Sequence, residues 1–381
     1  MSKRVPEGRT VFDAALERLI EIYEGGHRIV VSFSAGKDSG ICLEMAILAA
    51  KLTGRLPVDV VMRDEEIMFP GTYEYAERVA ARPEVRFRWL IANQPIINVF
   101  NREQPYWWVF DPSLPPERWM RQPPSMAEVI PEKNIDAMTI PERFPVEEGK
   151  TLFAVVGLRV SESIQRMYGL FSSKGHVTKP NKHGVRLLRP IYDWQDADVW
   201  KAIENNGWDY NKAYDVMFRM LGGKGKLLRI APPTMNIHGA PLLSMAQRAW
   251  PRWFDKLAER CPGVRTVAQF GTRVLKPDRR HGETWQVTFE RECVEKAPEW
   301  IRERAVLSRD VMLRAHSRHS TAPFPENSAC PQCVGNMGSW KSLTIHLYNG
   351  DPFSTKMTRL PVIEPEFFRE GAGTWGGKPT W

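Results

Sequence analysis

Long hydrophobic runs are missing from this 381-residue chain. A bilayer-spanning helix needs ~20 consecutive apolar residues, and no uninterrupted apolar stretch approaches that length, so no membrane partner is expected. Cysteine is scarce as well, with five residues in all, an odd number that does not suit a disulfide framework. The opening residues Met-Ser-Lys-Arg-Val-Pro-Glu-Gly lack the apolar core of a secretory signal, which together with the cysteine count points to a reducing cytoplasm. An acidic balance is absent too. Lys and Arg number 53 against 45 Asp and Glu, a formal charge of +8, so anionic partners are attracted at modest salt. The excess is spread along the chain, with local concentrations at 273–280 and 302–318. Phosphorylated nucleotides and nucleic acid would both satisfy it. What is present is ordinary for a globular chain, 43% hydrophobic and 26% charged residues, over a length that suits one α/β domain plus a smaller second region.

Hydrophobic periodicity supplies the rhythm. Val11, Phe12, Ala15, Leu16, Leu19, Ile20 and Tyr23 have helical spacing, and Gly25-Gly26 stop it. The apolar run at 28–33 predicts a first strand, 39–53 a helix, 57–62 a second strand, 73–81 a helix, 85–91 a third strand and 151–156 a fourth. Strands alternating with helices predict a parallel sheet whose ligands lie at the carboxyl ends of the strands. Between the third and fourth strands the pattern breaks into an insertion of about 95–150. It is rich in proline and holds Phe100, Tyr106, Trp107, Trp108, Phe110 and Trp119. These rings either pin the insertion onto the main domain or stack on a base or nucleotide. In the second region, 242–260 and 297–314 have helical spacing, the latter cationic enough to line a phosphate-rich groove.

The densest chemistry follows the first strand, where Ser32-Phe-Ser-Ala-Gly-Lys-Asp-Ser39 leads into a helix. A buried strand, a turn of small residues and a helix start meet here, which is where backbone N–H groups and the helix dipole hold a polyphosphate. Lys37 adds a cation. The Walker loop needs Ser or Thr after its Gly-Lys pair; Asp38 stands there instead. Further along, Gly157-Leu-Arg-Val-Ser-Glu-Ser-Ile-Gln-Arg166 follows the fourth strand. Arg159 falls near the crevice, and Glu162 and Arg166, four apart, can pair on one helical face.

Ser34-Ala-Gly-Lys-Asp-Ser39 resembles the PP-loop of the ATP pyrophosphatase superfamily, Ser-Gly-Gly-x-Asp-Ser, with Ala35 in place of the first Gly. The segment from Gly157 to Arg166 resembles the second signature of the phosphoadenosine phosphosulfate (PAPS) reductase branch, shared with the small subunit of sulfate adenylyltransferase. Leu188-Arg-Pro-Ile-Tyr-Asp-Trp and Tyr210-Asn-Lys-Ala-Tyr214 resemble its later motifs, and Asp64 resembles the Asp after its second strand. The resemblance covers about 28–214. It implies a doubly wound, mainly parallel α/β sheet of the Rossmann-like, adenine nucleotide alpha hydrolase type, with a nucleotide-binding domain at 1–225 and a C-terminal region at 226–381. It also implies a nucleotide site at Ser32, Ser34, Ala35, Gly36, Lys37, Asp38, Ser39, Asp64, Gly157, Arg159, Glu162 and Arg166, with Lys37, Asp38 and Arg159 in catalytic roles. ATP would be the substrate, with Mg2+ on Asp38 or Asp64, cleaved between the α and β phosphates while AMP passes to an acceptor such as sulfate, a base or a DNA phosphate.

Reductase activity on PAPS or adenylylsulfate is the alternative, although the Cys-Gly-Leu-His tail of classical PAPS reductases is missing from Gly-Gly-Lys-Pro-Thr-Trp381. A nucleotide-gated regulatory or DNA-associated protein without turnover is another. Cys330-Pro-Gln-Cys333 has metal-ligand spacing, and Cys261 and Cys293 would complete a set of four for zinc or, as in some relatives of the superfamily, a [4Fe-4S] cluster. Residues 338–351 resemble the tail of PAPS-reductase-like proteins of phages and mobile elements, which implies a ParB-like partner; a strand packing on the main sheet is the other reading. Association into oligomers is left open.

Overall fold

The computed structural model describes residues 8–131, 138–173, 175–222, 228–235, 239–330, 338–354, 360–369 and 373–377. In chain order its elements are α1 (Val11–Glu24), β1 (Arg28–Ser32), α2 (Lys37–Thr53), β2 (Val58–Arg63), α3 (Thr72–Ala80), β3 (Val85–Ala92), β4 (Pro95–Ile97), β5 (Tyr106–Trp108), β6 (Glu128–Ile130), β7 (Leu152–Val155), α4 (Ile164–Ser172), β8 (Arg186–Leu188), α5 (Asp196–Asn206), α6 (Ala213–Met220), α7 (Ala240–Ala249), α8 (Pro251–Arg260), α9 (Val264–Phe270), α10 (Trp285–Phe289), α11 (Glu299–Ser317) and α12 (Trp340–Leu347). The chain divides into two compact units, Met1–Gln94 with Val109–Pro232, and Pro95–Trp108 with Pro233–Trp381.

The first unit is an α/β domain on a six-stranded sheet in the order β6-β3-β2-β1-β7-β8, every neighbouring pair parallel. Strands of such a sheet are buried on both faces and so read as continuous apolar runs, as Ile29-Val-Val31, Val60-Val-Met62 and Leu152 to Val155 do. One face is covered by α1, α2, α3 and α5 through a core that includes Leu19, Leu43, Ala46, Tyr75, Trp89, Trp194 and Val199. The other face is covered by the chain around Ile130, Met138 and Phe144, which packs on Val30, Val61, Leu90 and Ala154. Thr10 caps α1 by accepting from the Asp13 N–H, and Gly54, at φ 68°, closes α2 in the left-handed conformation.

The chain moves from β1 outward through β2 to β3, then returns to the opposite side of β1 at β7. The sheet therefore has its topological switch between β1 and β7, and the crevice beyond their carboxyl ends is where such folds bind ligands.

The second unit is mainly helical. One cluster gathers Phe289, Cys293, Ala305, Phe324, Trp340, Leu343 and Leu347; another gathers Tyr106, Trp108, Ala297, Trp300, Ile301, Ile363 and Phe368. The helical pattern expected at 242–260 is two helices, because Pro251 lacks the N–H that would carry α7 onward and instead opens α8. The segment 338–351 does not add a strand to the sheet. Ser339 caps α12 by accepting from the Ser342 N–H, and Trp340, Leu343 and Leu347 place one helical face in the core.

Five of the six aromatic residues named in the insertion are spent on packing. Tyr106 and Trp108 lie in the second unit's core, and the Trp107 indole N–H donates to Thr234 Oγ1 at 3.2 Å. Phe100 and Phe110 are buried as well. Rings in these positions pin the chain in place and do not present faces to a base. Three arginines of the cationic helix at 299–317 are likewise engaged. Arg304 is fully buried and donates to the carbonyls of Gly350, Asp351 and Pro361, Arg309 pairs with Glu290 and Asp310, and Arg302 pairs with Glu299.

Candidate functional site

The helix after β1 begins at Lys37, two residues earlier than the apolar pattern predicts, with Gly36 as its extended N-cap. Lys37, Asp38 and Ser39 therefore form the first turn, whose N–H groups have no partner within the helix. Tyr214 takes the Lys37 N–H on its hydroxyl at 3.0 Å, leaving those of Asp38 and Ser39 without a helical acceptor. The turn before the helix is tied to itself. Ser39 Oγ accepts from the Ser34 N–H at 3.2 Å and donates to the Gly36 carbonyl at 3.0 Å. Ala35 sits at φ 55°, left-handed backbone that costs a residue with a Cβ ~1–2 kcal/mol, and Asn211 Nδ2 holds its carbonyl at 3.0 Å.

Gly157, after β7, comes against the Asp38–Ser39 peptide. A Cβ placed on it would stand 2.7 Å from the Asp38 carbonyl carbon and 2.9 Å from the Ser39 nitrogen. Only glycine permits that approach. Between the two segments lies a cavity of about 330 Å3 lined by Ser32, Ser34, Gly36, Lys37, Asp38, Ser39, Gly157, Glu162, Arg166, Tyr214 and Arg229, among others.

Charge is arranged around it in layers. Lys37, 6% exposed, reaches Asp38 at 3.3 Å and Asp196 at 3.2 Å. Arg159, 3% exposed, holds the same two carboxylates from behind, at 2.7 Å to Asp38 and 3.0 Å to Asp196. Arg166 pairs with Glu162. Burial, with the like charges of Arg229 and Arg159 nearby, pushes the Arg166 guanidinium below its ordinary pKa, against the opposing pull of Asp38. Lys37, Arg166 and Arg229 thus line one space, as a site built for an anion would have them.

Of the residues singled out in the sequence, Ser32, Ser34, Gly36, Lys37, Asp38, Ser39, Gly157, Glu162 and Arg166 line the cavity. Ala35 is buried beneath the loop, and Arg159 acts on the cavity through Asp38. Asp64 is placed differently from expectation. It is fully buried and is not among the lining residues; its carboxylate accepts from the Trp89 indole N–H at 2.8 Å, from the Glu66 N–H at 2.9 Å, and from Arg121. Asp196 and Arg229 were missed. Asp196 opens α5 inside an acidic run that reads as helix capping, and Arg229 follows glycine- and lysine-rich chain with no pattern of its own.

Metal ligands were expected from four cysteines. Cys261, Cys293 and Cys330 are each buried, and Cys333 lies outside the described residues. Among the described residues, no three His, Cys, Asp or Glu side chains gather where they could hold a metal ion. Cys293 donates to the Thr344 carbonyl at 3.6 Å, and burial pushes its thiol pKa up to about 12.

A doubly covered parallel sheet, a glycine-tight loop at the switch point and an arginine-bearing segment after β7 are now in place, and residues 28–226 match the phosphoadenosine phosphosulfate reductase domain. The chain belongs to the phosphoadenosine phosphosulfate reductase domain family. Among individual proteins, this family member is similar to YbdN of Escherichia coli strain K12, an uncharacterised protein, at 23% identity over 99% of this chain and 97% of that one. It is also similar to the uncharacterised MJ0973 of Methanocaldococcus jannaschii, at 22% identity over 61% of this chain and 48% of that protein. Among solved structures, the phosphoadenylyl-sulfate reductase of Candida auris in its phosphate complex aligns over 57% of this chain and 95% of its own, at 15% identity and a TM-score of 0.32. No helix among the described residues is long and apolar enough to cross a membrane.

Proposed function

We propose that this member of the family binds ATP in the loop cavity and cleaves it between the α and β phosphates, passing AMP to an acceptor. The observation that carries the reading is the convergence of Lys37, Arg166 and Arg229 with the first turn of α2 on one cavity. A triphosphate matches this, since N–H groups hold phosphate oxygens without their own charge and the three cations neutralise what accumulates on a departing pyrophosphate. The acceptor oxygen attacks the α phosphorus, the bond to the bridging oxygen of the β phosphate breaks, and pyrophosphate leaves.

Arg159 and Asp196 are positioning residues. They keep Asp38 and Lys37 turned toward the cavity, so that little reorganisation accompanies binding. Of Asp38 and Asp64, Asp38 lines the cavity and would hold Mg2+, which would bring additional charge neutralisation to the phosphates. The buried, fully engaged Asp64 does not fit that role.

The test is incubation of the purified chain with ATP labelled at the γ phosphate, Mg2+ and candidate acceptors, alongside Lys37→Ala. Pyrophosphate release from the wild type that drops by about tenfold or more in the variant is expected, from loss of one cation at the site of developing charge. Absence of pyrophosphate under every condition, with ATP bound equally by both proteins, would sink the reading.

A further inference from the structure

Beside the loop cavity lies a second, smaller one of about 140 Å3, lined by Leu158, Arg159, Val160, Arg166, Gly169, Leu170, Arg189 and Tyr192. Leu158 and Arg166 line both, so the two spaces adjoin across these side chains. None of the residues lining the smaller cavity is acidic.

Two of its three arginines already have carboxylate partners, Arg159 in Asp38 and Asp196, and Arg166 in Glu162. Arg189 differs. It is 8% exposed, and its described partners are neutral: Nη1 donates to the Gly169 carbonyl at 3.3 Å and Nη2 to Ser173 Oγ at 2.9 Å. Its Nε is buried without a hydrogen-bond acceptor. Burial lowers the pKa of this guanidinium, and no acid opposes the shift. A buried cation with an unused donor and no counter-charge is expensive to keep, and an anion in the adjoining space would relieve both deficits.

The rest of the wall decides what kind of anion. Leu158, Val160, Leu170 and the Tyr192 ring offer hydrocarbon, which suits a ligand with one charged end and an apolar body. An inorganic oxyanion such as sulfate seeks donors on all sides and finds few here. A planar carboxylate matches a guanidinium fork.

We propose that the Arg189 cavity binds a short-chain organic carboxylate, and that this carboxylate is the acceptor beside the nucleotide. This rests on the adenylating activity proposed above. In the transfer, a carboxylate oxygen forms a bond to the α phosphorus of ATP, the bond from that phosphorus to the β-bridging oxygen breaks, and a mixed acyl–phosphate anhydride and pyrophosphate result. No oxidant or reductant is needed.

The test is saturation-transfer NMR titration of the full chain with propionate, butyrate and hexanoate, with competition by sodium sulfate. It is run on the wild type, on Arg189→Met and on Gly169→Leu, and ATP binding is measured separately by calorimetry. A Cβ added at Gly169 meets nothing within 4 Å, so the second variant adds bulk at a residue lining the cavity with Arg189 itself unchanged and decides the matter should Arg189→Met fail to fold. Carboxylate binding to the wild type that weakens at least tenfold in both folded variants, with ATP affinity unchanged, supports the site. No carboxylate binding, equal binding by all three proteins, or displacement of carboxylate by lower concentrations of sulfate overturns it. Failure of the wild type to bind ATP would refute the nucleotide reading separately, since carboxylate binding is read without nucleotide.

Discussion

Gly157→Ala tests the idea that the approach of the post-β7 segment to the loop shapes the site. The new methyl carbon would stand 2.7 Å from the Asp38 carbonyl carbon, 2.9 Å from its oxygen and 2.9 Å from the Ser39 nitrogen. Carbon contacts settle near ~3.5–4.0 Å, so one segment must retreat by about 1 Å. Nothing flexible can absorb this, because every clashing atom is backbone in the first turn of α2. Overpacking of this kind costs ~1–3 kcal/mol. A displacement near 1 Å at positioned groups lowers rate by about a hundredfold, and Asp38 and Ser39 are the groups displaced. Urea unfolding followed by tryptophan fluorescence should show a lower midpoint at unchanged slope, and calorimetry should show weakened ATP binding. Gly169→Ala is the control, a helical glycine with open space for its Cβ, where the same substitution should stabilise by ~0.8–1 kcal/mol. A Gly157→Ala protein that unfolds at the wild-type midpoint and binds ATP equally well would refute the packing argument.

Asp64→Asn should cost stability toward the lower end of the ~3–5 kcal/mol seen when a buried ion pair is broken, because Arg121 is left partly solvated. The Mg2+ dependence of ATP binding should not change; a higher Mg2+ requirement at wild-type stability would restore Asp64 as a metal ligand. In the second unit, the paired Arg291, helped by the Arg280 N–H and the Thr288 hydroxyl, lowers the Glu283 carboxyl from 4.5 to about 2. Its contribution is complete above pH 4.5 and is lost as pH falls through about 2, so acid unfolding curves of wild type and Glu283→Gln should converge toward pH 2, and curves that stay parallel would contradict the pairing. Phe289→Ala, in a fully buried position of the same unit, should destabilise it by ~3–5 kcal/mol in chemical unfolding, and a change below 1 kcal/mol would show that this core is not formed. Dialysis against a chelator should leave the thermal midpoint unmoved, since among the described residues no three ligating side chains gather and Cys293 lies against the Thr344 carbonyl; stoichiometric zinc release with a fall of several degrees would show the metal staple instead.

The order of strands and helices in the first unit was legible because its signal is local. Buried parallel strands read as apolar runs, α1 shows its stripe, and the Ser34–Ser39 loop announces itself by composition between strand and helix. Several residues that line the loop cavity were legible for the same reason, since Gly157, Glu162 and Arg166 follow a strand end at fixed spacing. What sequence could not place depended on contacts between distant segments. Asp64 has the right position after β2 to face the crevice, yet Trp89 and Arg121, 25 and 57 residues away, draw its carboxylate into the interior. The aromatic insertion has a composition that suits either stacking or packing, and only the burial of Tyr106 and Trp108 among Trp300 and Phe368 decides for packing. Arg189 reads in sequence as one basic residue before a proline; its buried, acid-free setting exists only after α4 folds across it. Local pattern determined the sheet and the phosphate loop because backbone hydrogen bonding and period-dependent burial act over a few residues. Tertiary structure decided which charges are spent and which remain available, because neutralisation depends on distances that no sequence spacing sets.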